Sequence, residues 1–221
     1  MTDALLPWIF FGGFAVSLGG LALVNAARNR KRRAAFAEYC LIRGFTFEDK
    51  RPNGERRYAE MFEPFTAGRR RSWGYTISGT KNQVPFTAFE YQWVTGGGKS
   101  SSTHRIGGIV WERDKDSLPR FLLSPEGWLS RLGQVFGMQD IDFDESPEFS
   151  RMYRLKGPNE PLIRQLFTTE IRRFFEATPN QLVAGGGRFL FWYRNRVLPP
   201  PDEFDEWLEQ GDHVRRRFFK Q

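Results

Sequence analysis

VPFTAFEYQWVTGGGKSSSTHRIGGIVWERD, residues 84–114, decides the fold. Its centre, Gly98-Lys99-Ser100, reads like the second half of a nucleotide-phosphate loop, G-x-x-x-x-G-K-[ST]. The first glycine of that motif would have to stand at position 93, which is Trp93. The flanks also disagree with a phosphate loop. Residues 84–94 are aromatic and β-branched and predict a strand, and 103–114 predict a second one. A phosphate loop needs a helix after it, because the helix N-terminus supplies the amides and the dipole that hold the anion. Two strands joined by Gly and Ser make a β-hairpin, with Lys99 and His104 left as the candidate ligand residues of its loop.

The same alternation extends outward. WGYTISG (73–79) and PRFLLS (119–124) predict further strands of an antiparallel meander. SPEGWLSRLGQVF (124–136) predicts a helix capped at Ser124, with Trp128, Leu129, Leu132, Val135 and Phe136 as its apolar stripe. FSRMYRLKG (149–157) alternates like a strand. EPLIRQLFTTEIRRFFEAT (160–178) has helical periodicity with a break near Thr168. NQLVAGGGRFLFWYRNRV (180–197) predicts a second hairpin, and PPDEFDEWLEQGDHVRRRFF (200–219) a closing helix. Strands in hairpins with helices between or after them define an α+β domain over 58–221, divisible into units 58–138 and 139–221.

Residues 4–27, ALLPWIFFGGFAVSLGGLALVNAA, carry no charge. As a helix they span about 36 Å, against a bilayer core of about 30 Å, so a transmembrane helix is expected. Val24-Asn25-Ala26 resembles a signal-peptidase site. A signal peptide, however, starts with positive charge, whereas here Asp3 precedes the apolar run and the basic residues follow it. Arg28, Arg30, Lys31, Arg32 and Arg33 place the C-terminal body in the cytoplasm and the N-terminus outside, the topology of a single-pass inner-membrane protein. The same five are candidates for anionic lipid headgroups. Gly12, Ala15, Gly19, Ala22 and Ala26 share one helix face, beside Gly13, Ser17 and Gly20, and suggest close association with a second copy or another membrane protein. The basic segment 28–47 is expected to continue as a helix, with Phe36, Tyr39 and Cys40 at helical spacing and Gly44 as its cap.

Charge and composition narrow the function. The chain has 221 residues, a net charge of +7, 22 Phe, 7 Trp and one Cys. Five of the positive charges lie in 28–33 and Asp3 removes one, so residues 34–221 carry only +3. That balance argues against a nucleic-acid surface. A lone cysteine makes no internal disulfide and fits a reducing compartment; it is expected either to pack or to be palmitoylated. DIDFDESPE (140–148) lacks the Gly and Glu that a calcium loop needs at its sixth and twelfth positions, so an extended segment with its acids outward is expected. His104 and His213 stand in no metal spacing, and no nucleophile–base set accompanies them. Neither metal, cofactor nor enzymatic activity is therefore expected. The recurring basic clusters 69–71, 172–173 and 215–217 remain as phosphate-binding alternatives.

DIDFDESPEFSRMYRLKGPNEPLIRQLFTTEIRRFF (140–175), with FEYQWVTGGGKSSSTH (89–104) and LPRFLLSPE (118–126), resembles a family of uncharacterised bacterial membrane-anchored proteins, a domain of unknown function. The resemblance covers about residues 60–195. It implies one or two N-terminal hydrophobic helices and a cytoplasmic α+β domain, and it carries no catalytic residue. The sequence as a whole reads as a membrane-anchored interaction or scaffold protein, with anionic-headgroup binding as the alternative.

Overall fold

A computed structural model describes residues 6–50, 57–58, 62, 65–66, 68–115, 118–126, 139–195 and 197–219. Side chains at 6–22, Lys99, Gln139, Arg194 and Asn195 lie outside that description. The strands are β1 (Thr46–Glu48), β2 (Arg69–Lys81), β3 (Val84–Thr95), β4 (Ser102–Glu112), β5 (Leu118–Pro125), β6 (Gln139–Asp140), β7 (Tyr153–Gly157), β8 (Leu182–Gly187) and β9 (Phe189–Asn195). The helices are α1 (Leu6–Arg43), α2 (Pro147–Met152), α3 (Glu160–Leu166), α4 (Thr169–Ala177) and α5 (Pro201–Phe218). The α+β expectation holds.

The nine strands among the described residues form one antiparallel sheet in the order β1-β2-β3-β4-β9-β8-β5-β7-β6. The hairpin β8–β9 lies between β4 and β5, so the two halves expected from the sequence share one sheet. Side-chain alternation explains why the sheet is apolar on both faces. In β9, Leu190 and Trp192 join the helix-covered core, whereas Phe189, Phe191 and Tyr193 join the opposite cluster. In β3, Phe86 and Ala88 go one way, and Phe89, Tyr91 and Trp93 the other. The first face is covered by α1 to α5 through Phe36, Phe149, Phe167, Phe175, Phe204, Trp207 and Phe218. The second holds Tyr58, Phe62 and Phe65 against Trp73, Phe191 and Tyr193, with Phe62 stacked 4.5 Å from Tyr193.

The helix break near Thr168 is real: Thr168 caps α4, its side chain accepting from the Ile171 amide. Gly44 ends α1 at φ +68°. Three local expectations need correction. Phe45 to Phe47 leave the helix, and β1 begins at Thr46. Ser124 and Pro125 belong to β5, where Ser124 is fully buried, so Ser124 caps no helix; residues 127–138 lie outside the described residues. Phe149 to Met152 are helical rather than extended, because Pro147 fixes a first turn and Phe149 fills the core beneath it. As expected, the basic segment continues the apolar one in a single helix, α1, of 38 residues. The expected crossing segment 4–27 lies in α1 from Leu6 onward, with side chains described only from Leu23. Among the described residues no helix is long and apolar enough to cross a membrane.

Gly107 in β4 shows how tightly the sheet is overlaid. A Cβ there would lie 2.6 Å from the Val197 carbonyl carbon and 2.9 Å from the Leu198 nitrogen, both backbone atoms that cannot swing aside. Gly107→Ala is therefore expected to destabilise the fold by about 1–3 kcal/mol, the cost of overpacking. Urea denaturation of the purified chain, followed by tryptophan fluorescence, measures it.

Candidate functional site

The features marked in the sequence converge at the root of α1, where the helix enters the domain. Residues 23–31 of α1 are exposed, including Ala26, Arg28, Arg30 and Lys31. Side-chain packing begins at the next residue. Arg32 lays its guanidinium 4.8 Å from the Tyr75 ring and 5.2 Å from Phe36. It forks onto the Glu90 carboxylate and also donates to the Leu198 carbonyl at 3.0 Å. Glu90 accepts in turn from the Leu198 amide at 3.0 Å. One carboxylate thus ties α1, β3 and the segment leading to α5. The bidentate arginine geometry makes each bond charge-assisted.

Below this knot Phe36 is fully buried against Tyr75, Phe47 and Phe204, with ring centroids 5.8–6.2 Å apart. Tyr39 donates to Asp205 at 2.7 Å, and Arg43 pairs with the same carboxylate. The Tyr75 hydroxyl donates to the Asn29 carbonyl at 3.2 Å, a tie to the domain made within the exposed stretch. Arg33 pairs with Asp49 at 3.3 Å. Burial raises the Tyr75 phenol, with the Asp49 carboxylate adding to it, and burial raises Tyr39 against the opposing pull of Arg43. Cys40 is 1 % exposed, and burial pushes its thiol up to about 11. It is a packing residue in this fold.

The five basic candidates for lipid headgroups are therefore split by the structure. Arg28, Arg30 and Lys31 remain on the surface, and Arg32 and Arg33 turn onto acids of the domain. Nothing in the sequence marked Glu90, Asp205 or Leu198, because their partners lie 58 or more residues away. Of the small-residue face, Gly12, Ala15, Gly19 and Ala22 lie in α1 with their side chains outside the described residues.

The hairpin loop is compact. Gly96 and Gly98 take φ +74° and +56°, and Gly98–Ser100 form a 3-10 turn closed by the Ser100 amide and hydroxyl on the Gly97 carbonyl. It runs into strand β4, not a helix, which removes the basis for a phosphate loop. His104 stacks on Trp93 at 5.0 Å and shares a 2.7 Å hydrogen bond with Thr95. It braces the hairpin; the Lys99 side chain lies outside the described residues. The acids of 140–148 face outward around buried Ile141 and Phe143. Asp140 meets Lys156 at 3.1 Å and Arg154 at 3.4 Å, and Glu145 meets buried Arg172 at 3.1 Å. Among the described residues no group of His, Cys, Asp and Glu could hold a metal ion. The two other basic clusters are also absorbed, apart from exposed Arg173. Arg172 is buried beneath Phe143, Arg215 is buried on Asp212, and Arg216 and Arg217 pair with Glu209 and Glu170. Arg69 to Arg71 stay exposed.

A single antiparallel sheet, helix-covered on one face and entered by a long N-terminal helix, defines the class. No protein-family model and no curated protein matches the chain. Among solved structures the fold is similar to that of the mycobacterial trehalose monomycolate transport factor A, TtfA, with a TM-score of 0.58 at 10 % identity, over 86 % of this chain and 93 % of that one. At that identity the likeness concerns the fold alone.

With its pKa near 11, the Cys40 thiol stays protonated at neutral pH, and alkylation at pH 7.5 is expected to proceed only as fast as the root opens. Because the neutral thiol is favoured in the fold, its contribution to stability is present below pH 9.0 and is lost as the pH rises toward about 11. Iodoacetamide kinetics with and without urea check both points.

Proposed function

We propose that this chain is a membrane-anchored interaction protein, in which residues 4–27 of the N-terminal segment cross the inner membrane and the α+β body lies on the cytoplasmic side. The observation that carries the reading is the continuity of α1. From Leu6 onward the uncharged run passes without a break or linker into the stretch rooted by Arg32, Phe36 and Cys40. Only Arg28 separates that run from Asn29, where the first tie to the domain is made. At about 1.5 Å per residue, that leaves the body a few ångströms from the membrane surface. A flexible tether would let the domain sample any orientation, whereas this helix fixes one. A fixed orientation is what a scaffold needs in order to present the same face to a membrane partner each time. The small residues Gly12, Ala15, Gly19, Ala22 and Ala26 give the partner, or a second copy, a face for close helix approach. TtfA, by its name a transport factor, has the same fold and is compatible with a membrane-associated role here.

The experiment is alkaline carbonate extraction of native membranes, followed by co-purification in mild detergent. The full chain should remain in the membrane pellet. A chain lacking residues 1–27 should be soluble and melt cooperatively. Deletion through Arg43 should abolish folding, since it removes buried Phe36 and Cys40, and Phe36→Ala alone should cost about 3–5 kcal/mol. Making Gly12, Gly19 and Ala22 into leucine should release the co-purifying protein without altering membrane retention. Release of the full chain by carbonate would sink the proposal.

A further inference from the structure

We infer that the end of the sheet toward which α1 departs is a docking surface for the anionic phospholipid headgroups of the bilayer that holds α1, with Arg69, Arg70 and Arg105 as its contacts. The inference rests on the membrane-anchored reading above, and it begins from the direction of α1 along the sheet. Phe45, just past the helix, packs on Phe86 at 5.2 Å and against Gly79 of β2. Phe36 packs on Tyr75. Arg32 reaches Glu90, which lies beside Gly74. Going back along α1 from 45 to 32 therefore means going back along β2 from 79 to 74. Continued in that direction, β2 ends at Arg69. Arg69 pairs in register with Val94, and Gln92 of β3 pairs with Arg105 of β4. The hairpin loop 96–101 lies beyond them. The N-terminal part of α1, the start of β2 and the β3–β4 loop thus share one end of the molecule.

That end is exposed and cationic. Residues 69–72, 96–98, 100–103 and 105 are all exposed. Arg28, Arg30, Lys31, Arg69 and Arg70 pair with no carboxylate among the described residues. Arg71 spends its guanidinium on the Phe65 and Thr66 carbonyls, and Arg105 donates to the neutral Gln92 amide. The two acids nearest α1 on this side, Glu90 and Asp49, are already taken by Arg32 and Arg33. The charge is therefore available rather than spent internally, unlike that of Arg172 and of the 215–217 cluster.

The backbone supplies a second observation. Arg70 sits at φ +51°, a left-handed conformation unfavourable for a side chain of its size, where β2 and β3 fall out of register between Arg69 and Ser72. Strain held at an exposed arginine, in a position where Gly or Asn would sit more easily, is a mark of use. The irregularity leaves four successive residues, Arg69 to Ser72, all exposed instead of alternating. The chemistry fits phosphodiester headgroups: arginine forks match phosphate oxygens, and the glycine- and serine-rich loop offers amides and hydroxyls without bulk. A surface already held at a bilayer needs no affinity of its own beyond charge, which acts within a Debye length.

The test reconstitutes the full chain into lipid nanodiscs, one set of phosphatidylcholine alone and one of two parts phosphatidylcholine to one part phosphatidylglycerol. Hydrogen exchange is followed at 68–73 and 94–105. The expected result is insertion into both sets, with exchange at these segments about tenfold slower in the anionic discs, a protection that reports local opening. It should be lost in the R69Q/R70Q/R105Q variant. Should that variant misfold, salt serves as the second measurement: at about 1 M, where the screening length is about 3 Å, protection of the unmodified chain should disappear. Insertion into both discs with equal exchange overturns the docking surface and leaves the anchor standing. Failure to insert into either overturns the anchor, and this inference with it.

Discussion

The fork between Arg32 and Glu90 is the contact on which the arrangement of this molecule depends. Glu90 lies on β3, only partly exposed, and an unpartnered carboxylate there would be costly. Arg32 supplies the counter-charge from α1, and the Leu198 amide and carbonyl complete the set from the other side. The long helix, the sheet and the start of α5 are joined by one charged group whose hydrogen bonds are all made within the protein. Gly107 makes this possible, since a side chain there would push the 197–198 backbone off the sheet.

Around that knot the packing is aromatic. A sheet buried on both faces needs large side chains at odd and even positions alike, which is where much of the phenylalanine and tryptophan content goes. The helix side mixes edge-to-face contacts, such as Phe36 on Phe204, with stacked ones, such as Phe121 on Phe218. The opposite side stacks Phe62 on Tyr193 and Phe65 on Trp73. Rings stack with direction as well as area, so they fix the positions of their neighbours. The position of α1 is therefore set by the core as well as by the surface pair.

Much of this was legible from local pattern. The 84–114 hairpin, the 180–197 hairpin, the break at Thr168 and the cap at Gly44 follow from residues within a few positions of one another, and backbone sterics act at that range. The misreadings share a cause. FSRM alternates in hydrophobicity, but Pro147 and the hole filled by Phe149 make it a helix turn. Ser124 and Pro125 have the composition of a helix start, yet β7 and β8 flank β5, and the pairing of Ser124 with Arg154 and Pro125 with Tyr153 holds them extended. In each case tertiary contact overrode a weak local preference.

The sequence by itself determined that this is an α+β chain with an uncharged N-terminal run, a basic stretch after it, and no nucleotide loop, because periodicity, charge order and glycine spacing are local properties. The tertiary structure alone decided which charges are spent and which are free. Five basic residues among six look equivalent until Arg32 meets Glu90 and Arg33 meets Asp49. Three arginine clusters look equivalent until Arg172 closes on Glu145 and Arg215 to Arg217 close on Asp212, Glu209 and Glu170. Charge pairing depends on distances between residues remote along the chain, and those distances exist only once the sheet has set its order.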